Sequence, residues 1–210
     1  MTKEITVLKR NGSREPLDLE KMHKVVFYAC EGITGVSVSE VEIRSHLQFY
    51  NGITTDEIQE TLIKAAADLI SEETPNYQWV AGRLINYHLR KKVYGHFQPP
   101  HLREIAQQNV NLGYYDPSFF SVYSPEEIDQ LNNYIKHDRD ESIAYVGMEQ
   151  FRGKYLTQNR VTGEIFETPQ VAYMMIAATL FQNYPSNTRM RYVKDFYDAS
   201  SNFDISLPTP

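Results

Sequence analysis

The side chains best suited to gripping an anion, Lys9, Arg10, Arg14 and Lys21, crowd around one tight turn in the run Val7-Leu-Lys-Arg-Asn-Gly-Ser-Arg-Glu-Pro-Leu-Asp-Leu-Glu-Lys21. Asn11-Gly12 predicts a β-hairpin, with a type I′ turn in which both central residues take positive φ. The first strand leads into Lys9 and Arg10, and the returning strand carries Arg14 and Glu15. Asp18 then suits the N-cap of a helix whose first turn holds Lys21. Lys9, Arg10 and Lys21 can converge on a small polyanion, and Glu15 offers an acceptor for a base or a ribose. This is the chemistry of a nucleotide cradle made without a glycine-rich phosphate loop. A charged turn taken alone is equally the pattern of a solvated hairpin, so the elements that must position it carry the decision.

Those elements are mostly helical. A first helix is expected over 19–31, ended by Gly32, and a second over about 39–50, stopped by Asn51-Gly52. Thr54 and Glu57 have capping-box spacing at the start of a third. Its apolar face reads Ile58, Leu62, Ala65, Ala66, Leu69 and Ile70. A fourth follows Pro75 over 77–94 and ends in Arg90-Lys91-Lys92, where cations suit the carbonyl-rich terminus. Beyond Pro99-Pro100, helices are expected over 101–111, from Ser124-Pro-Glu-Glu127, over 170–182 and over about 187–201. Residues 154–167, with Thr162-Gly163 near the bend, read as a second hairpin. The run Val171 to Ala178 is expected to be buried on most sides.

Composition excludes several classes. The chain has 210 residues, 41% of them hydrophobic, and a formal charge of −6, with no apolar stretch long enough to cross a bilayer and no secretory N-terminus. That charge argues against general nucleic-acid binding, which shows a basic field, yet allows a local basic pocket. Cys30 is the only cysteine, so no intrachain disulfide forms, and a structural role in a reducing cytoplasm is expected. The six histidines have no zinc-ligand spacing, and no metal site is expected. The 15 tyrosines and 10 phenylalanines read as packing, with the tyrosine hydroxyls at the surface.

The order of Lys9-Arg10-Asn-Gly-Ser-Arg-Glu15, Gly52-Ile-Thr-Thr55-Asp, Ile63-Lys-Ala-Ala-Ala67 and Leu89-Arg-Lys-Lys-Val-Tyr-Gly95 resembles the ATP-cone. With His137-Asp-Arg-Asp140, Lys154-Tyr-Leu156, Arg160-Val-Thr-Gly-Glu-Ile165, Phe196-Tyr-Asp-Ala199 and Ser206-Leu-Pro-Thr-Pro210, the chain is similar along its whole length to the N-terminus of the large subunit of aerobic class Ia ribonucleoside-diphosphate reductases, of enterobacterial or T-even phage type. The resemblance implies a mainly α fold with small β-hairpins. An ATP-cone, a hairpin plus a four-helix bundle, would span 1–95, and a helical region with a second hairpin 96–210, ending before the catalytic barrel.

The resemblance further implies an overall-activity site that binds ATP or dATP, with Mg²⁺, and so controls reduction of ribonucleotides to deoxyribonucleotides. Lys9, Arg10 and Lys91 would hold the triphosphate, Glu15 and Lys21 would serve the adenosine side or a bridge, and Thr55 would offer a hydroxyl at a helix start. Thr209 would contribute to the substrate-phosphate site of the complete enzyme. The family's reaction needs a thiyl radical and a reducing cysteine pair, and with one cysteine this chain is expected to be inactive alone, as a truncated or divided large subunit. Expected partners are the rest of that subunit, the small radical-generating β subunit and a second copy of itself, in a bacterial or phage-infected cytoplasm, with no nucleic acid and no membrane. Asp18 and Gln59 stand where enterobacterial members have asparagine and histidine, which points to weakened dATP inhibition. The alternative is an assembly module whose nucleotide pocket has decayed. Cone-bearing repressors place a four-cysteine zinc ribbon before the cone, and this sequence has none.

Overall fold

A computed structural model describes residues 5–206. Thr209, assigned above to the substrate phosphate, lies outside the described residues. The chain divides into two compact units, one running to His88 and including Glu141–Glu149, the other made of Leu89–Asp140 and the residues from Gln150 onward.

In the first unit, β1 (Thr6–Leu8) pairs antiparallel with β2 (Arg14–Pro16) and parallel with β3 (Ile53–Thr54), so β1 is the central strand. The turn differs from expectation. Only Gly12 takes positive φ, at 83°. The Gly12 amide donates to the Lys9 carbonyl at 2.9 Å, and the Lys9 amide to the Ser13 carbonyl at 2.8 Å. This is a three-residue loop ending in a left-handed glycine, and Asn11 uses its Oδ1 to accept from the Ser13 amide and hydroxyl instead of adopting positive φ itself.

Around the sheet lie α1 (Leu19–Cys30), α2 (Val38–His46), α3 (Thr55–Ala67) and the long α4 (Tyr77–Tyr94). Asp18 caps α1 by accepting from the Lys21 amide, and Ser37 caps α2 by accepting from the Glu40 amide. The buried face of α3 is Ile58, Leu62, Ile63, Ala65 and Ala66. The helix stops at Ala67, so Leu69 is only half-buried and Ile70 exposed, against the longer face read from the sequence. α4 has the expected boundaries, and Val80, Ala81, Leu84 and Ile85 are fully buried along it. Cys30 is buried, and burial pushes its thiol up to about 11, which fits packing and not reactivity.

The second unit holds α5 (Leu102–Asn111), the short α6 (Phe119–Val122), α7 (Pro125–Tyr134), α9 (Pro169–Phe181) and α10 (Ser186–Ser201). A 3-10 turn (His137–Ser142), then α8 (Tyr145–Gln150) and a π-helical turn (Phe151–Tyr155), connect α7 to the loop before α9. Ser124 and Glu127 form the expected capping box on α7, and Arg189 of α10 clamps the Glu127 carboxylate at 2.9 and 2.7 Å. The second hairpin reduces to a bend with one antiparallel bridge, Gln158 to Ile165. Asn159 closes that bend by accepting from the Val161 and Thr162 amides, which draws backbone donors into the turn. α9 is buried along Val171–Met175 and at Ala177 and Ala178, with Ile176 outward.

The tyrosines pack as expected, but the hydroxyls of the most deeply buried ones are not left at the surface. Tyr123 donates to the Ala178 carbonyl at 2.6 Å, Tyr197 to Gln170 Oε1 at 2.7 Å, and Tyr77 to Glu40. A buried phenol without a partner is costly, so each ring enters the core at a place where its oxygen meets an acceptor.

Candidate functional site: a charged turn against a helix start

The register of the sheet assembles the cluster. Because β3 runs parallel beside β1, Thr54 sits opposite Leu8, and α3 begins immediately after it. The chain therefore delivers the first turn of α3 to the end of the sheet where Lys9 and Arg10 leave β1. Lys9 Nζ lies 3.2 Å from Glu15 Oε2 across the hairpin. Arg10 Nη2 donates to Asp56 Oδ1 at 2.8 Å. Thr55 is the first residue of α3, between the capping Thr54 and Asp56. The structure thus gathers Lys9, Arg10, Glu15 and Thr55 around one end of the sheet and one helix N-terminus.

That helix start is held firmly. The Glu57 amide donates to Thr54 Oγ1 at 3.1 Å, and Glu57 Oε2 accepts from the Thr54 amide at 2.8 Å. Tyr50 also donates to Glu57 Oε1 at 2.7 Å. The Thr54 backbone bond, then Tyr50, hold the Glu57 carboxyl below the usual range, while the same bond pushes the Tyr50 phenol up. Thr54→Ala removes the cap and is expected to destabilise α3 by about 1 kcal/mol. Hydrogen exchange at the Glu57 and Ile58 amides, faster in the variant, checks it; unchanged exchange would show that the cap contributes nothing.

Lys21 is engaged locally. Its Nζ lies 3.2 Å from Asp18 Oδ2, and its amide donates to Asp18 Oδ1 at 3.0 Å. These contacts, the backbone bond first, keep the Asp18 carboxyl below its usual range. Lys91 lies in the last turn of α4, in the part of that helix belonging to the second unit. Among the described residues no group of three or more His, Cys, Asp or Glu side chains is placed to hold a metal ion, and no helix is long and apolar enough to cross a membrane.

Two features of the site come from the structure alone: the pairing of Asp56 with Arg10 and the burial of the Gln59 amide oxygen. Asp56, the partner of Arg10, is a first-turn acid of the kind that complements a helix dipole, and only that general preference marked it. Gln59, one turn further along α3, has its Oε1 buried without a hydrogen-bond partner. The resemblance marks Gln59 as a departure from the family's histidine, and its buried oxygen is what the structure adds.

Comparison with known proteins places this arrangement. Residues 5–92 match the ATP cone domain, and residues 141–210 match the ribonucleotide reductase all-alpha domain. The whole chain is 53% identical to ribonucleoside-diphosphate reductase 1 subunit alpha of Escherichia coli K12 and 52% identical to the subunit alpha of Haemophilus influenzae, spanning 28% of each. The chain belongs to the ribonucleotide reductase family. Over 208 residues it is also 44% identical to the subunit alpha of Enterobacteria phage T4, covering 98% of this chain and 27% of that protein. The chain thus spans a little over a quarter of the length of these reductase subunits, and its charged turn falls inside the segment matching the cone.

Proposed function

We propose that this reductase chain is a regulatory segment that binds ATP or dATP on the cluster built by Lys9, Arg10, Glu15 and Thr55, with Lys21 as a further cation, and so controls reduction of ribonucleotides in a larger assembly. The observation that carries the reading is the meeting of the β1–β2 turn with the start of α3, fixed by the Arg10–Asp56 contact at 2.8 Å. A helix N-terminus favours negative charge, and the turn adds two cations beside it. The ion pairs seen here do not block such a role. Lys9 and Glu15 are both partly exposed, and exposed pairs contribute only about 0–1 kcal/mol. A triphosphate offers these cations several charge-assisted hydrogen bonds in their place. Gln59 Oε1 adds a buried acceptor that a hydroxyl or amino group of a nucleotide can satisfy.

Reduction itself would require cysteines and a radical source from the rest of a large subunit and from a small partner subunit, because Cys30 is buried and stands alone. Asp18 and Gln59 bear on the sensing of dATP. Asp18 already neutralises Lys21, so the contrast between two nucleotides differing by one 2′-hydroxyl is expected to be weak, and inhibition by dATP shallow.

Calorimetry with MgATP and MgdATP on this chain tests the site. Saturable binding is expected, weakened about 10- to 100-fold in Lys9→Ala through loss of one charge-assisted contact. A folded chain that binds neither nucleotide, or a variant that binds as well as the parent, would favour the assembly module with a decayed pocket.

A further inference from the structure

The bend before α9 carries a group for which the nucleotide cluster has no use. Glu167 is 3% exposed, and its carboxylate accepts from the Tyr115 hydroxyl and from the Thr157 amide, the latter at 2.7 Å. Among the described residues no cation contributes to its surroundings. It borders a cavity of about 410 Å³, within the size range of small-ligand sites, whose walls include Tyr114, Tyr115, Tyr155 and Met175. Among the described residues those walls hold two carboxylates, Asp116 and Glu167, and no lysine or arginine.

The frame is well fixed. The Phe166 amide donates to the Thr157 carbonyl at 3.0 Å, Asn109 Nδ2 donates to the Phe166 carbonyl at 3.0 Å, and the Tyr114 ring stacks on Phe166 with centroids 4.1 Å apart. Glu167 is therefore held at the cavity by its backbone neighbours and has little room to swing toward water.

A buried carboxylate with no counter-ion is costly, and it resolves that cost by taking a proton or a cation. Burial accordingly pushes the Glu167 carboxyl above its usual range, against the opposing bonds from Tyr115 and Thr157. An anion would meet two acids and the electron-rich faces of several phenols. A cation would meet a charge-assisted acceptor and rings that attract it.

We propose that this cavity is a binding site for a cationic group, an alkylammonium or alkylguanidinium, held on the Glu167 carboxylate with the tyrosines of the wall around it. Every residue named lies in the second unit, so the site stands independently of the nucleotide reading. The cation is either a free organic amine or the basic side chain of a polypeptide.

The test is an NMR titration of this chain with butylammonium, butylguanidinium, N-acetylarginine amide and neutral butylurea. Saturable shifts at Tyr115, Thr157 and Glu167 are expected from at least one cation and not from butylurea. Glu167→Gln should weaken that binding about 10- to 100-fold, and Tyr115→Phe, which keeps the carboxylate, should retain it. Tighter binding of N-acetylarginine amide than of butylguanidinium assigns the site to a polypeptide side chain, and the reverse order to a free amine. Absence of saturation with every cation, equal binding of butylurea, or undiminished binding in a folded Glu167→Gln chain would overturn the proposal. If that variant does not fold, the comparison of butylguanidinium with butylurea on the parent chain decides alone.

Discussion

Gly82→Ala is expected to destabilise the first unit by at least about 3 kcal/mol, at the upper end of overpacking penalties. In an exposed helix the same change would stabilise by about 1 kcal/mol, because alanine has the better helix propensity. Position 82 reverses that sign. A Cβ there would lie 2.2 Å from the Ile143 carbonyl oxygen and 3.2 Å from the Ala144 carbonyl carbon. These are backbone atoms, so no side chain can turn aside. The segment that approaches is itself anchored, with Tyr28 donating to Glu141 Oε1 at 2.7 Å and Arg83 Nε to the Glu141 carbonyl at 3.4 Å. The variant must either push Glu141–Glu149 off α4 or bend the helix. Trp79, the only tryptophan, lies on the same helix and reports the unfolding of this unit in urea. An unchanged midpoint would mean that the segment does not approach α4 so closely. Gly147→Ala is the internal control, since its Cβ would meet the Ile143 Cγ2 methyl at 2.9 Å, and a methyl group can move.

Asp140→Asn is expected to make the chain lose more stability in acid than the parent loses. Asp140 is fully buried, and burial pushes its carboxyl up to about 6 from an ordinary 3.8, with Arg90 opposing at 3.3 Å. Below pH 3.8 folded and unfolded chains both hold this proton, and nothing is lost. As pH rises from about 4 to 6 the unfolded chain ionises first, so stability falls, by about 3 kcal/mol once the window is passed. His137 works the other way. Burial first, then Arg90, lowers its imidazole from 6.5 to about 4, so its contribution is present above 6.5 and is lost as pH falls through that window. The two slopes oppose each other in the parent chain. Asparagine removes the Asp140 slope and leaves that of His137, so the variant should lose more stability than the parent between pH 7 and 4.5. Denaturation followed by circular dichroism over that range measures it. Identical slopes in parent and variant would show that Asp140 ionises alike in both states.

Much of the architecture was legible because its determinants are local. Ser124 with Glu127, and Thr54 with Glu57, announce helix starts within four residues, and both capping boxes form. The boundaries of α4 follow from apolar spacing and flanking breakers. The second hairpin was over-read because β-favouring residues surround 162–163, whereas Asn159 spends the local donors on a bend and leaves one bridge. The turn at Asn11-Gly12 was right in place and wrong in type, since asparagine can either adopt positive φ or accept bonds from its own backbone, and here it accepts.

The candidate site was legible as a list of cations and not as a geometry. Arg10 and Asp56 are 46 residues apart, and β3 is two residues long, too short for any alternation to reveal. The sequence by itself determined that this is a mainly helical reductase-family chain with a charged turn at its start, because caps, breakers and ordered motif blocks are written over short spans. Only the tertiary structure decided which side chains share a place. The parallel register of β3 on β1 brought Asp56 to Arg10, and the packing of the bend against α5 sealed Glu167 beside a cavity without a cation. Pairings of that kind depend on the register and packing of distant segments, and no stretch of sequence encodes them alone.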